Sequence, residues 1–156
     1  MQIFKNLFII ITFIFTYSCG YKIISNTIEN YNIIEIQTSG DQRINYKIKN
    51  KLLFSNSKEN NDKFILEINT IKKKTIKNKN INNEITSYNL AITTEVSYGL
   101  TGKLVENKFI ITESGNYKVS DQRQKTLNNE KTLTEILTDN IIEKIKFRLN
   151  NIINDT

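Results

Sequence analysis

Few residues in this 156-residue chain are of a type that does chemistry. There is no histidine, and the one cysteine is Cys19. That removes the usual general base and the commonest metal ligand, and leaves a single candidate for a thiol nucleophile. Paired carboxylates or a Ser-Lys arrangement could still act, but no spacing in the chain points to either. No Gly-rich phosphate loop, metal-ligand cluster or internal repeat interrupts the sequence. These absences argue against an enzyme, and no catalytic residue, metal ligand or cofactor is expected.

Cys19 sits at the end of a patterned segment. Lys5 precedes an apolar run from Leu7 to Phe15, which gives way to small and polar residues ending in Ser18 and Cys19. Charged, then apolar, then small is the order of an export signal, and a run of about ten residues is too short to span a bilayer as a mature helix. A small residue before a lone cysteine predicts a lipoprotein: residues 1–18 as signal peptide, cleavage after Ser18, and a lipid on Cys19 as the first mature residue. Thr16 and Tyr17 depart from the usual lipobox. An ordinary signal peptide with a free cysteine and an uncleaved signal anchor stay open. A lone exported thiol has no intrachain partner, which favours its modification. Several acyl chains on one residue, at about 0.8 kcal/mol per buried CH₂, hold a protein stably. Gly20 rather than Asp after the cysteine is similar to lipoproteins sorted to the outer membrane.

The remaining candidates are cationic. The chain carries 22 Lys and Arg against 16 Asp and Glu, a net charge of +6, which favours anionic partners. Lys, Asn and Ile are all abundant and proline is absent, as A/T-rich codons would also produce. The most basic stretch holds Lys72, Lys73, Lys74, Lys77 and Lys79. It reads either as a solvated loop or lysine-protected strand edge, or as an anion-binding surface.

The elements that must position these residues follow from periodicity. Residues 19–156 are long enough for one domain with one core. Ile33–Gln37 reads as a short strand. Ser39 and Gln42 form a capping box for an amphipathic helix with Ile44, Ile48 and Leu52 on one face, ending near Phe54. Ser55–Lys63 is loop-like, and Phe64, Leu66 and Ile68 alternate in a strand that runs on toward Ile71. Ser87–Leu100 alternates most clearly, with Tyr88, Leu90, Ile92, Val96 and Tyr98 on one face and Thr94 breaking it. Thr101-Gly102-Lys103 turns the chain into a strand from Leu104 to Val119, where Ser114-Gly115-Asn116 suggests a bulge. From Asn128 to Asn151 the period is helical, with a stripe through Leu133, Leu137, Ile141, Ile145, Leu149 and Ile152; Thr132 and Glu135 offer a later start. Ile136 and Phe147 form a minor apolar face that either packs on the first helix or meets a partner. The predicted fold is α+β, a two-layer sandwich in which two helices pack on a mostly antiparallel four-stranded sheet, in the order strand, helix, three strands, helix.

With that order, the chain resembles the LPS-assembly lipoprotein family (LptE-like), in particular its alphaproteobacterial branch. The resemblance is carried by Cys19-Gly20-Tyr21, the run Tyr88–Leu100 with Gly102-Lys103 after it, Tyr117-Lys118-Val119-Ser120, and the closing Lys144-Ile145-Lys146-Phe147-Arg148-Leu149. The family's frequent early proline is missing. The resemblance implies an outer-membrane lipoprotein, facing the periplasm, that plugs a large LPS-assembly β-barrel, assists its folding and helps deliver lipopolysaccharide to the outer leaflet. On that footing the five lysines would meet lipid A phosphates and Ile136 and Phe147 the barrel wall. A tethered periplasmic lipid or ligand carrier, marked by an internal apolar cavity, is the alternative, and a purely structural envelope lipoprotein a third. No nucleic-acid partner is expected.

Overall fold

Period-two alternation builds four strands and near-3.6 periodicity builds two helices: β1 (Asn32–Gly40), α1 (Gln42–Phe54), β2 (Lys63–Lys79), β3 (Ile85–Leu100), β4 (Asn107–Lys118) and α2 (Arg123–Asn154). The computed structural model describes residues 31–56, 63–100 and 107–154. The signal segment, Cys19, residues 57–62 of the polar loop and the turn at Thr101-Gly102-Lys103 lie outside the described residues. The strands lie in the order β1-β2-β3-β4, so sheet neighbours are also neighbours in sequence. β1 pairs parallel with β2, while β2 with β3 and β3 with β4 pair antiparallel. A parallel pair needs a crossover connection, and α1 supplies it. The result is the expected α+β sandwich with its mostly antiparallel sheet.

One face of the sheet is buried. It presents Ile33 and Ile36 of β1, Phe64, Leu66 and Ile68 of β2, Leu90, Ile92 and Val96 of β3, and Ile111 and Tyr117 of β4. The helices cover it with Ile44, Ile48 and Leu52 of α1 and Leu137, Ile141, Ile142, Ile145 and Leu149 of α2. Each fully buried Ile or Leu contributes roughly 1.5–3 kcal/mol. Thr94, the expected interruption of the β3 face, is wholly buried, and its hydroxyl meets that of Thr70 at 3.2 Å. A matched pair of hydroxyls thus satisfies itself inside an apolar layer.

Local details depart from the sequence reading. The N-cap of α1 is Asp41, not Ser39: Asp41 Oδ1 accepts from the amides of Arg43 and Ile44, both at 3.1 Å. Ser39 is held in β1, which runs on to Gly40, and the Asp41 amide donates to the Thr70 carbonyl at 2.9 Å. Pairing with β2 thus carries the strand past the predicted cap. Gly40 has φ +88°, and a Cβ there would lie 2.1 Å from the Thr70 carbonyl oxygen, so only glycine fits. Ser114-Gly115-Asn116 forms no bulge, since the β3–β4 register is unbroken. Gly115 instead admits α2: a Cβ on it would come within 2.8 Å of Leu133 Cδ1. α2 begins at Arg123, earlier than its apolar stripe, and Thr132 and Glu135 lie inside it.

Candidate functional site

β2 outruns β1. Beyond Thr70, which pairs with Gly40, β2 has β3 on one side and nothing described on the other, yet it stays a strand through Lys79. The lysine-rich stretch is therefore a paired strand and not a loop. Its alternation splits the cations. Lys72 and Lys74 continue the face of Phe64, Leu66, Ile68 and Thr70, toward the helices, while Lys73 lies on the opposite face.

Lys72 and Lys74 converge on one carboxylate. Lys72 Nζ reaches Glu130 Oε1 at 3.0 Å, and Lys74 Nζ reaches Oε2 at 2.8 Å. The Tyr117 hydroxyl donates to Glu130 Oε2 at 2.7 Å. Lys74 Nζ also sits 4.1 Å from the centroid of the Tyr88 ring, which stacks on Tyr117 with centroids 5.6 Å apart. Two strands, β2 and β4, and the N-terminal half of α2 meet at this carboxylate, with Tyr88 of β3 stacked beside it. Hydrogen bonding from Lys74 holds Glu130 down to about 2 against the upward pull of burial, with the bonds from Tyr117 and Lys72 adding to the lowering. Burial pulls Lys74 down, but its bonds to Glu130 and Tyr117 and the Glu130 charge win and push it up to about 12. Burial raises Tyr117, with Glu130 adding to the rise against the opposing pull of Lys74. The cluster sets two lysines against one carboxylate, and the mutual bonding of Glu130 and Lys74 holds both of these charged across the physiological range.

Of the other expected site residues, Lys79 donates to Asn83 Oδ1 at 2.8 Å near the tip of the β2–β3 hairpin, and Lys73 and Lys77 are exposed without a bonded partner among the described residues. Ile136 is 52% exposed and Phe147 65%, so neither is taken up by the core. α1 meets α2 elsewhere, through Lys47, which bonds Asp139 at 2.8 Å and the Glu135 carbonyl at 3.3 Å. Beside the Glu130 cluster, an open hollow of about 460 Å³ separates the two helices, and Arg43, Lys47, Lys72, Lys131 and Glu135 are among its walls. It is open to solvent, with charged side chains standing among apolar walls such as Ile44 and Leu127, and so is not the enclosed cavity a lipid carrier needs. Glu130 was missed in the sequence because its lysine partners lie 56 and 58 residues away.

This α+β architecture is shared with solved bacterial proteins. The chain is similar to the rare lipoprotein B of Shewanella oneidensis, with TM-score 0.51 and 13% identity over 78% of this chain and 94% of that one. It is similar to a protein of Caulobacter crescentus described as a lipoprotein, with TM-score 0.53 and 14% identity over 77% and 90%. A third likeness is to an uncharacterized lipoprotein B of Nitrosomonas europaea, with TM-score 0.57 and 11% identity over 86% and 93%. At such identities the likeness is one of fold. No protein-family model matches the chain, and no curated protein matches it.

Proposed function

We propose that this chain is a non-catalytic envelope lipoprotein, held through a lipid on Cys19, that plugs and helps assemble an LPS-transport β-barrel of the outer membrane. The observation that carries this reading is the likeness of fold, over nine-tenths or more of each neighbour, to three proteins described as bacterial lipoproteins. The signal-like order of residues 1–19 agrees with it, as does a chain without histidine. A filled core and an open, charged hollow fit a protein that works by its surface rather than by enclosing a ligand. Lipopolysaccharide phosphates would fall to Lys73, Lys77 and Lys79 first, because Lys72 and Lys74 reach a phosphate only by leaving Glu130. Lysine, a flexible point charge, suits a ligand that is held and then released.

The test is recovery from detergent-solubilised outer membrane. The protein should co-purify with a β-barrel partner, and its depletion should leave that barrel misassembled. Normal barrel assembly without it would overturn the proposal. Lys73→Gln, Lys77→Gln and Lys79→Gln together should weaken lipopolysaccharide binding and flatten its salt dependence. Unchanged binding would return these lysines to a solubilising role.

A further inference from the structure

The two edges of the sheet are treated differently. The β1 edge is closed off. A register shift interrupts it between Ile33 and Glu35, the Lys49 ammonium donates to the Ile36 carbonyl at 3.2 Å, and Asn56 bonds both the amide and the carbonyl of Ile33, at 2.6 and 2.9 Å. Bulges and lysines are how proteins keep a strand edge from pairing with another chain. The β4 edge has neither a bulge nor a side chain capping its backbone along its middle. From Lys108 to Ser114 its register is unbroken, it holds no proline, and no side chain among the described residues bonds its backbone. Phe109-Ile110-Ile111-Thr112 is also its most strand-prone stretch.

α2 overhangs this edge. Asn129 bonds the Lys118 carbonyl, Leu133 sits over Gly115, and Lys144 pairs with Glu113, so α2 runs antiparallel to β4. Ile136 and Phe147 lie three residues on from Leu133 and Lys144, about 60° around the helix from them, and both are exposed. At the edge itself is a hollow of about 400 Å³ whose walls include Ile110 and Ile111, from opposite faces of β4, together with Lys144, Phe147 and Arg148. Arg148 is exposed and has no ion pair or hydrogen bond among the described residues.

We infer that the β4 edge from Lys108 to Ser114 is a docking site for an extended, carboxylate-bearing segment of another protein, which adds to the sheet as a fifth strand. Backbone pairing supplies the affinity. The side chains of the added strand that point toward the helices pack on Phe147, and a carboxylate among them meets Arg148. Charge argues against a second copy of this chain: two molecules of net charge +6 repel, and the one carboxylate of β4, Glu113, is already paired with Lys144 and so is not left to meet Arg148. The inference goes beyond the barrel reading and does not depend on it, since any protein able to present such a strand qualifies.

The test uses the full chain in detergent micelles and two capped dodecapeptides of alternating Thr and Val, one bearing glutamates and the other lysines at the same positions. Binding is read by fluorescence anisotropy and located by hydrogen–deuterium exchange. The glutamate peptide should bind at least tenfold more tightly than the lysine peptide and slow exchange in residues 107–114 but not in β1. Arg148→Glu should reverse the preference, and Phe147→Ala should weaken both peptides by roughly threefold to tenfold. Because both positions are exposed, the fold should survive, as an unchanged circular dichroism spectrum would verify. Equal binding of the two peptides, no binding, protection at β1, or self-association that protects β4 without peptide would each overturn the proposal.

Discussion

Glu130 ties together more of the molecule than any other polar side chain described, and its effect has a definite pH dependence. Its carboxyl is lowered from 4.5 to about 2 in the folded state. A depressed folded pKa means stability that is fully present above the unfolded value and is lost as pH falls toward the folded one. Glu130→Gln should therefore cost about 2 kcal/mol at pH 7, and the gap to the parent should close between pH 4.5 and about pH 2. Urea unfolding at pH 7 and near the bottom of that window checks this; a gap that persists in acid would mean that shape and not charge is at stake. Thr70 and Thr94 allow a second measurement. Thr94→Val strands the buried Thr70 hydroxyl and should cost about 1–2 kcal/mol, while changing both to Val should recover part of the loss. Residues of the core were readable in advance, because Phe64, Leu66, Ile68, Leu90, Ile92 and Val96 alternate within their own strands. The pairing of Lys72 and Lys74 was not, since their partner Glu130 is brought to them only by the fold.

At the level of elements, glycine shows how one residue type carries different messages. Gly115 interrupts a strand pattern, which fits either a bulge or the close approach of another segment. Sequence cannot choose, because the approaching Leu133 lies on a different element. Gly115→Ala should cost about 1 kcal/mol, with the loss shrinking in a Leu133→Ala background, since the clash is with the end of a flexible side chain. Gly40→Ala meets a backbone carbonyl and a positive φ and should cost at least about 2 kcal/mol, which thermal unfolding of the pair would resolve. The misplaced cap of α1 has a related cause. Ser39 and Asp41 are both good caps, and the choice is made by Gly40 and Asp41 pairing with Thr70. The length of β2 was hidden for the same reason: a lysine-rich stretch reads as loop until β3 is known to lie beside it.

For the whole molecule, the proposed lipid on Cys19 predicts a tether separable from the folded body. Cys19→Ser should move the protein from the membrane to the soluble fraction while leaving its thermal midpoint unchanged, as fractionation and calorimetry would check. A shifted midpoint would mean that the lipid contributes to the fold. Mass spectrometry of the mature N-terminus would give the modification directly. The strand order, which repeats the order of the chain, has a further consequence for biogenesis. A polypeptide threaded through a membrane from its N-terminus can zip each new strand onto the last as it emerges, with no wait for distant partners. The larger lid comes last: α1 covers part of the sheet early, but until Ile141, Ile145 and Leu149 are delivered the rest of its greasy side stays uncovered. A premature stop within α2 should therefore produce a sticky, chaperone-bound species rather than a smaller working protein.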